Sequence, residues 1–296
     1  MSMPFYVSPE QSMRDKADYA RKGVARSRSS VALQYAGGIL MVTPNASSVL
    51  HKISEIYDRI AFAAVGRYNE YETLRKAGVT YADVTGYQFD RGDVTGRGLA
   101  NWYAQALGTN FSEPTGKPYE VEIVVAEVGA QPDGDQIYRI SWDGSVSDEP
   151  GFVAFGGQAD QVAAELKERF SDGLSLTEAL GAALAALTAP PPAASGSAAA
   201  AKSASAAPAN GTLPELTAAN LEVAILDRAR AHRTFRRLHG PRLAELIAES
   251  RAASAPPAAE ATAAQDATPE TTGATEKTKP AAPETGPSSA GDGIPK

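Results

Sequence analysis

The chain has 296 residues, 43% of them hydrophobic and 21% charged, and its formal net charge is −7. This is the composition of an ordinary globular protein, and its acidic balance argues against nonspecific binding of nucleic acid. The absence of cysteine excludes a disulfide framework, a thiolate metal site and a cysteine nucleophile.

Neither a membrane anchor nor an export signal is expected. The sequence has no run of 18 apolar residues, the length that predicts a membrane-spanning helix. Residues 1–10 lack the basic-then-apolar order of a signal peptide. We therefore expect a cytoplasmic protein without contact to a membrane.

A polar helix is predicted over residues 8–25. Ser8 is a candidate N-cap, and Pro9 suits the first helical position. Only a thin apolar stripe runs along this helix, so it can bury little surface in its own domain. Hairpins are predicted next, over 31–42 and 53–65. The run 60–65 is apolar on both faces and must therefore be covered on both sides.

The later elements alternate between groups of helices and groups of strands. Two helices come first, with Gly78 as a weak point in the first of them. Ser175 and Glu178 have the spacing of a capping box at the start of a later helix. The predicted helices cover 68–84, 99–107, 159–170, 175–187 and 241–249. The predicted strands cover 121–128, 137–142, 145–147, 152–155, 221–226 and 234–238.

This order predicts an α+β fold of four layers, an αββα sandwich, and not an alternating βαβ fold. Segments rich in alanine and proline interrupt it at 188–212 and 250–296. Such segments cannot offset their ordering entropy, so we predict a flexible insertion and a disordered acidic tail. Roughly 225 residues remain, which is enough for a single domain over 9–249.

Common catalytic signatures are absent from the sequence. It has no nucleophile elbow and no His-Glu-x-x-His motif, and its histidines are only His51, His232 and His239. We expect these histidines to lie on the surface, and not to form a metal site or a catalytic triad. Two carboxylate pairs lie in polar loops with glycine, where solvated turn residues are expected. They are Asp90 with Asp93 and Asp133 with Asp135.

Lys52 is the one residue that stands out, because it directly precedes the predicted strand 53–57. On its own, such a lysine indicates a charge that blunts a strand edge. Several segments then resemble, in order along the chain, the α subunits of proteasomes. These are 18–33, 52–66, 90–101, 117–122 and 138–145, and the opening 3–11 resembles the actinobacterial type in particular.

The resemblance spans about residues 1–187 and 213–248, and it implies the N-terminal-nucleophile αββα sandwich. In that family the catalytic β subunits use an N-terminal threonine, freed by cleavage, with its own amine as base. Here the equivalent strand begins near Ser29, behind a full helix, and the expected acid falls near Pro44. Lys52 occupies the place of the catalytic lysine without its partners.

A non-catalytic α subunit is therefore the favoured interpretation. The alternatives are an active threonine peptidase of the β type and an unrelated monomeric binding module. As an α subunit, the chain is expected to form outer heptameric rings on β-subunit rings, with no cofactor and no metal. Residues 1–8 would be the gate segment, although a frayed terminus is the plainer interpretation. The gate residues are Met1, Ser2, Met3, Pro4, Phe5, Tyr6 and Val7.

The resemblance also gives Lys52 a role. It would line a pocket between subunits on the outer ring face and accept the C-terminal carboxylate of a ring-shaped ATPase. In actinobacteria that ATPase delivers proteins that carry a small tag resembling ubiquitin only in function. The expected partners are therefore other α subunits, β subunits, the ATPase and tagged substrates.

Overall fold

The computed structural model describes residues 8–190 and 215–254. Within them, ten strands form two antiparallel five-stranded sheets. The first sheet has the order β10-β9-β2-β1-β8 and the second has the order β3-β4-β5-β6-β7. The first sheet consists of β1 (Ser30–Tyr35), β2 (Gly38–Pro44), β8 (Phe152–Phe155), β9 (Leu221–Asp227) and β10 (Phe235–Leu238). The second consists of β3 (Ile53–Tyr57), β4 (Ile60–Gly66), β5 (Val121–Glu127), β6 (Gln136–Ile140) and β7 (Val146–Asp148).

Six α-helices accompany the sheets in these residues. They are α1 (Pro9–Ala25), α2 (Tyr68–Gln88), α3 (Gly96–Ser112), α4 (Ala159–Arg169), α5 (Leu176–Thr188) and α6 (Gly240–Ser254). None of them is long and apolar enough to span a membrane. The capping box of Ser175 and Glu178 starts α5 as predicted, and Ser8 caps α1.

Three apolar cores separate four layers. Helices α2 and α3 cover the outer face of the second sheet, while α4, α5 and α6 cover the outer face of the first. The space between the sheets is filled by a core in which five alanines lie among larger side chains such as Met41 and Phe155. Strand β4 serves two of these cores: Ala61 and Ala63 face the first sheet, whereas Phe62 faces the helices. The predicted αββα sandwich is confirmed, and the final hairpin extends the first sheet as expected.

Gly78 is not a weak point in α2, which is continuous through it. The glycine is needed for close packing, because a Cβ atom at this position would overlap the hydroxyl of Tyr103. Tyr103 is fully buried and packs against Phe62, with ring centroids 5.6 Å apart. The missing side chain thus lets α3 approach α2 at this point.

The predicted boundary after residue 249 is wrong, because α6 continues to Ser254. Ser250 is buried and its hydroxyl donates to the carbonyl of Ile247 at 2.9 Å. Arg251 binds the carboxylate of Glu215 at 2.6 Å and the carbonyl of Leu216 at 2.8 Å. These contacts hold the last helical turn on the domain. Likewise, residue 188 ends α5 rather than opening the insertion. The rest of the predicted insertion and tail lies almost wholly outside the described residues.

Candidate docking site around Lys52

Lys52 lies at the start of β3, which is an edge strand of the second sheet. Its carbonyl accepts a hydrogen bond from the amide of Ala64 at 3.0 Å, so the strand pairing already includes it. Its side chain is half-buried, and Nζ donates to the carbonyl of Pro44 at 3.1 Å. The ammonium therefore turns back over the end of β2 and is not simply solvated at the sheet edge.

Glu222 organises the backbone beneath Lys52. This carboxylate comes from β9 in the other sheet, and its side chain is only 6% exposed. One oxygen accepts hydrogen bonds from the amide of Lys52 at 3.0 Å and the side chain of Asn45 at 2.8 Å. The other accepts from the amide of Ile53 at 3.2 Å and from the guanidinium of Arg237. One buried carboxylate thus joins β9, β10, the loop 45–51 and the start of β3.

Arg237 and His51 complete this cluster. The guanidinium of Arg237 also donates to the carbonyl of Ile53 at 2.8 Å and lies 2.8 Å from Nδ1 of His51. That nitrogen is in turn 3.3 Å from the carboxylate of Glu222. His51 is therefore a member of the cluster, unlike His232 and His239, which are exposed.

The ammonium of Lys52 is electrostatically under-compensated. Burial lowers its pKa below the usual value, the carboxylate of Glu222 acts in the opposite direction, and Arg28 lowers it further. Among residues 8–190 and 215–254, no carboxylate forms a salt bridge with Lys52. An ammonium has three donors, and here one of them has a carbonyl acceptor. An incoming carboxylate could accept from the others.

The catalytic site of an N-terminal threonine peptidase is not assembled at this end of the sheets. Strand β1 begins at Ser30, with serine and not threonine at positions 29 and 30, and it is preceded by α1 and a short connection. Ser30 and Thr43 share a buried hydroxyl–hydroxyl contact of 2.6 Å. Ser29 accepts a hydrogen bond from the amide of Gln158 at 2.9 Å. These hydroxyls are engaged structurally, and Pro44 offers Lys52 only its backbone carbonyl.

The C-terminal end of α1 packs against a cluster of charged side chains at the end of the second sheet where Lys52 lies. Gly23 contacts Glu120 so closely that a Cβ atom would overlap that side chain. Lys117 bridges Glu120 at 2.8 Å and Glu70 at 2.5 Å, and Arg67 lies 3.5 Å from Glu120. The contact between Gly23 and Glu120 holds the C-terminal end of α1 against the second sheet. The predicted gate residues, 1–7, lie outside the described residues.

A cleft of about 950 Å³ opens beside α1, and Glu122 and Arg139 are among the residues that line it. The buried carboxylate of Glu122 is bound by Arg139 at 2.6 Å and by the amide of Gly156 at 2.8 Å. Trp142 forms part of the wall. Glu122 and Arg139 in this cleft are thus paired with each other.

The two carboxylate pairs found in the sequence behave differently. Asp90 and Asp93 cap a single 3-10 turn reciprocally, as expected of turn residues. Asp135, by contrast, is buried and binds Arg228 through both oxygens, at 2.8 and 2.7 Å. The prediction of a solvated turn residue is therefore wrong for Asp135. No cluster of three potential metal ligands occurs in the described parts of the chain.

Exposed aromatic and apolar side chains gather at the opposite end of β3 from Lys52. Tyr87 is 91% exposed and Phe89 is 73% exposed, and Val84 lies beside them at the end of α2. We call these three residues the 84–89 patch. Arg91 fixes this end of the molecule by binding Asp58 at 2.9 Å in the β3–β4 turn.

Comparison with known proteins agrees with this architecture. A family model described as "Proteasome subunit" matches residues 24–190. The chain is 62% identical to "Proteasome subunit alpha" of Kineococcus radiotolerans over 249 residues, which is 84% of this chain and 99% of that relative. It is 61% identical to the same-named protein of Thermomonospora curvata over 84% of this chain and 99% of the relative. It is 57% identical to the protein of that name from Frankia alni, over 86% of this chain and 100% of that relative. The chain therefore belongs to the proteasome subunit family, as a non-catalytic member of the α type.

Proposed function

We propose that this ring subunit of the proteasome core docks a ring ATPase through Lys52 and controls substrate passage with residues 1–7. It would form the outer heptameric rings, in the cytosol, and serve the degradation of proteins that carry a ubiquitin-like tag. The heptamer, the ATPase and the tag are carried over from the family resemblance. The observation that carries the docking role is the half-buried ammonium of Lys52, which has a carbonyl acceptor but forms no salt bridge with a carboxylate of the described residues.

A C-terminal carboxylate fits this ammonium better than a neutral group does. Hydrogen bonds between ionised partners are roughly twice as strong as neutral ones. Burial already opposes the positive charge of Lys52, so a carboxylate partner would offset that cost. A flexible lysine acts as a point charge and needs no bidentate geometry, which suits the single terminal carboxylate of a mobile peptide.

The two ends of the domain offer separate faces for assembly. Lys52 and the C-terminal end of α1 lie at one end of the second sheet, whereas the 84–89 patch lies at the other. Exposed apolar and aromatic side chains grouped at one end of a domain mark a candidate surface for contact with other proteins. If the Lys52 end faces the ATPase, the 84–89 patch faces inward. We assign this inner face to the contact with the β subunits.

The docking role is tested with the α–β complex assembled by co-expression. The probe is a peptide with the C-terminal residues of the ring ATPase from the same genome, compared with its C-terminally amidated twin. Replacing Lys52→Met should weaken the free-acid peptide tenfold or more, which is about 1.4 kcal/mol. It should leave the amidated peptide unaffected. Lys167→Met is the matched control at an exposed lysine. Equal binding of acid and amide to the wild-type complex would refute the docking role.

The gating role is tested by deleting residues 1–7 and measuring hydrolysis of a small fluorogenic peptide. The assembled complex should hydrolyse it faster after the deletion, because the segment no longer obstructs the axial channel. A native mass far above 30.8 kDa should accompany the activity. An unchanged rate in an intact complex would show that these residues do not obstruct access.

A further inference from the structure

Glu222 occupies the junction between the two sheets directly beneath Lys52. We propose that Glu222 is the positioning residue of the Lys52 site: it holds the loop 45–51 and the start of β3 in place and keeps Lys52 charged and presented to a carboxylate ligand. The inference rests on the docking role proposed above. It adds a residue from β9, about 170 positions further along the chain.

The hydrogen bonds that the carboxylate of Glu222 accepts support this role. Its two oxygens accept hydrogen bonds from the amides of Lys52 and Ile53, from the side chain of Asn45 and from Arg237. All four partners are donors, and they come from three separate segments. Because the amide of Lys52 itself is one of them, the Cα position of Lys52 is fixed relative to the first sheet. The same contact to Asn45 anchors the loop, since Asn45 also donates to the carbonyl of Leu50 at 2.7 Å.

The balance of charge around Lys52 supports the second part of the role. The charged or titratable groups that face this region are Arg28, His51, Tyr71, Glu222 and Arg237. Glu222 is the one carboxylate in that set. Burial and Arg28 lower the pKa of Lys52, and Glu222 counteracts them. Without its charge, no carboxylate of this set would offset the effects of burial and of Arg28 on the ammonium.

Glu222→Gln changes the charge and one hydrogen-bonding group while preserving size. A glutamine side chain would place an NH2 group against partners that are all donors, so at least one contact is lost. We expect weaker binding of the free-acid ATPase peptide, by tenfold or more near neutral pH. We also expect the upper pH limit of binding to move downward, because Lys52 then loses its proton at lower pH. A purely structural loss of stability would weaken binding without moving that limit.

Two measurements on the assembled α–β complex test the proposal. The first is the pH profile of peptide affinity for wild type, Glu222→Gln and Glu55→Gln. Glu55 is the matched control, because it is a glutamate on β3, the strand that begins next to Lys52. It pairs with Arg233 at 3.0 Å and does not bind the backbone of Lys52. The second is the pKa of Lys52, read from NMR of lysine labelled with 13C at Cε. It should fall in Glu222→Gln and remain at the wild-type value in Glu55→Gln.

Asn45→Ala separates positioning from charge. It removes one donor and one anchor of the loop but retains the carboxylate. We expect reduced affinity at every pH with no movement of the upper limit. Wild-type affinity in Asn45→Ala would overturn the positioning role, and an unchanged pKa of Lys52 in Glu222→Gln would overturn the charge role. If Lys52→Met binds the peptide as tightly as wild type, the docking function fails instead. The pKa of Lys52 still reports on Glu222 in that case.

Discussion

Replacing Asp135 by alanine should destabilise the domain more than its position in a surface loop suggests. Its side chain is 1% exposed and forms a bidentate ion pair with Arg228 from the end of β9. It also accepts a hydrogen bond from the amide of Gly129 at 2.8 Å. This pair joins the β5–β6 connection of the second sheet to the first sheet, so the change removes a link between the layers.

The expected magnitude follows from the cation that is left behind. Removing one partner of a buried ion pair typically costs about 3–5 kcal/mol, because the remaining charge is uncompensated. Arg228 is only 13% exposed, and a guanidinium stays protonated even without its partner, so the positive charge remains. For a domain of this size, that cost corresponds to a fall in melting temperature of roughly 6–20 °C.

Thermal unfolding of the chain checks this value, with Asp133→Ala as control. Asp133 is the same residue type two positions earlier, but it is exposed. Its replacement should change the free energy of unfolding by less than about 0.5 kcal/mol. Adding Arg228→Met to Asp135→Ala should recover part of the loss. Equal effects of the two aspartate variants, or no recovery in the double variant, would refute the reasoning.

Gly78→Ala should destabilise the chain by about 1–3 kcal/mol in chemical denaturation, because the new methyl overlaps Tyr103. Gly108→Ala should instead stabilise the chain by up to about 1 kcal/mol, because alanine favours the helix and its Cβ would make only ordinary contacts there. Burial opposes the ionisation of Glu120, but Lys117, Arg67 and Tyr19 together outweigh it and hold the pKa of Glu120 below its usual value. The resulting stability is present above about pH 4.3 and lost as pH falls through the lower folded-state pKa, so Glu120→Gln should reduce the drop in melting temperature on acidification.

Local patterns were sufficient to predict most elements of the fold. Ser8 and Pro9 mark the start of α1, and the spacing of Ser175 and Glu178 marks the start of α5. The doubly apolar strand 60–65 predicted cover on both faces, and it indeed contributes to two cores. Each of these signals depends on neighbours within a few residues, which the sequence displays directly.

Interactions between distant segments could not be predicted in the same way. Asp133 and Asp135 look alike in the sequence, and only Arg228, far along the chain, makes one of them buried. Glu222 was missed because its partners come from three segments. The signal available was an acid inside the otherwise apolar run 221–226. The docking role of Lys52 was predicted only through the family resemblance, since its position alone indicates a strand-edge charge.

The contact between the two sheets constrains how this chain can vary. Five of its residues are alanine, and most substitutions at these positions enlarge the side chain. The alanines are Ala32, Ala61, Ala63, Ala126 and Ala224. An enlarged residue would wedge the layers apart. Because Glu222 and Lys52 belong to different sheets, such a variant would separate them. We therefore expect some substitutions deep in the sandwich to be recovered as ATPase-coupling mutants in a folded, assembled particle.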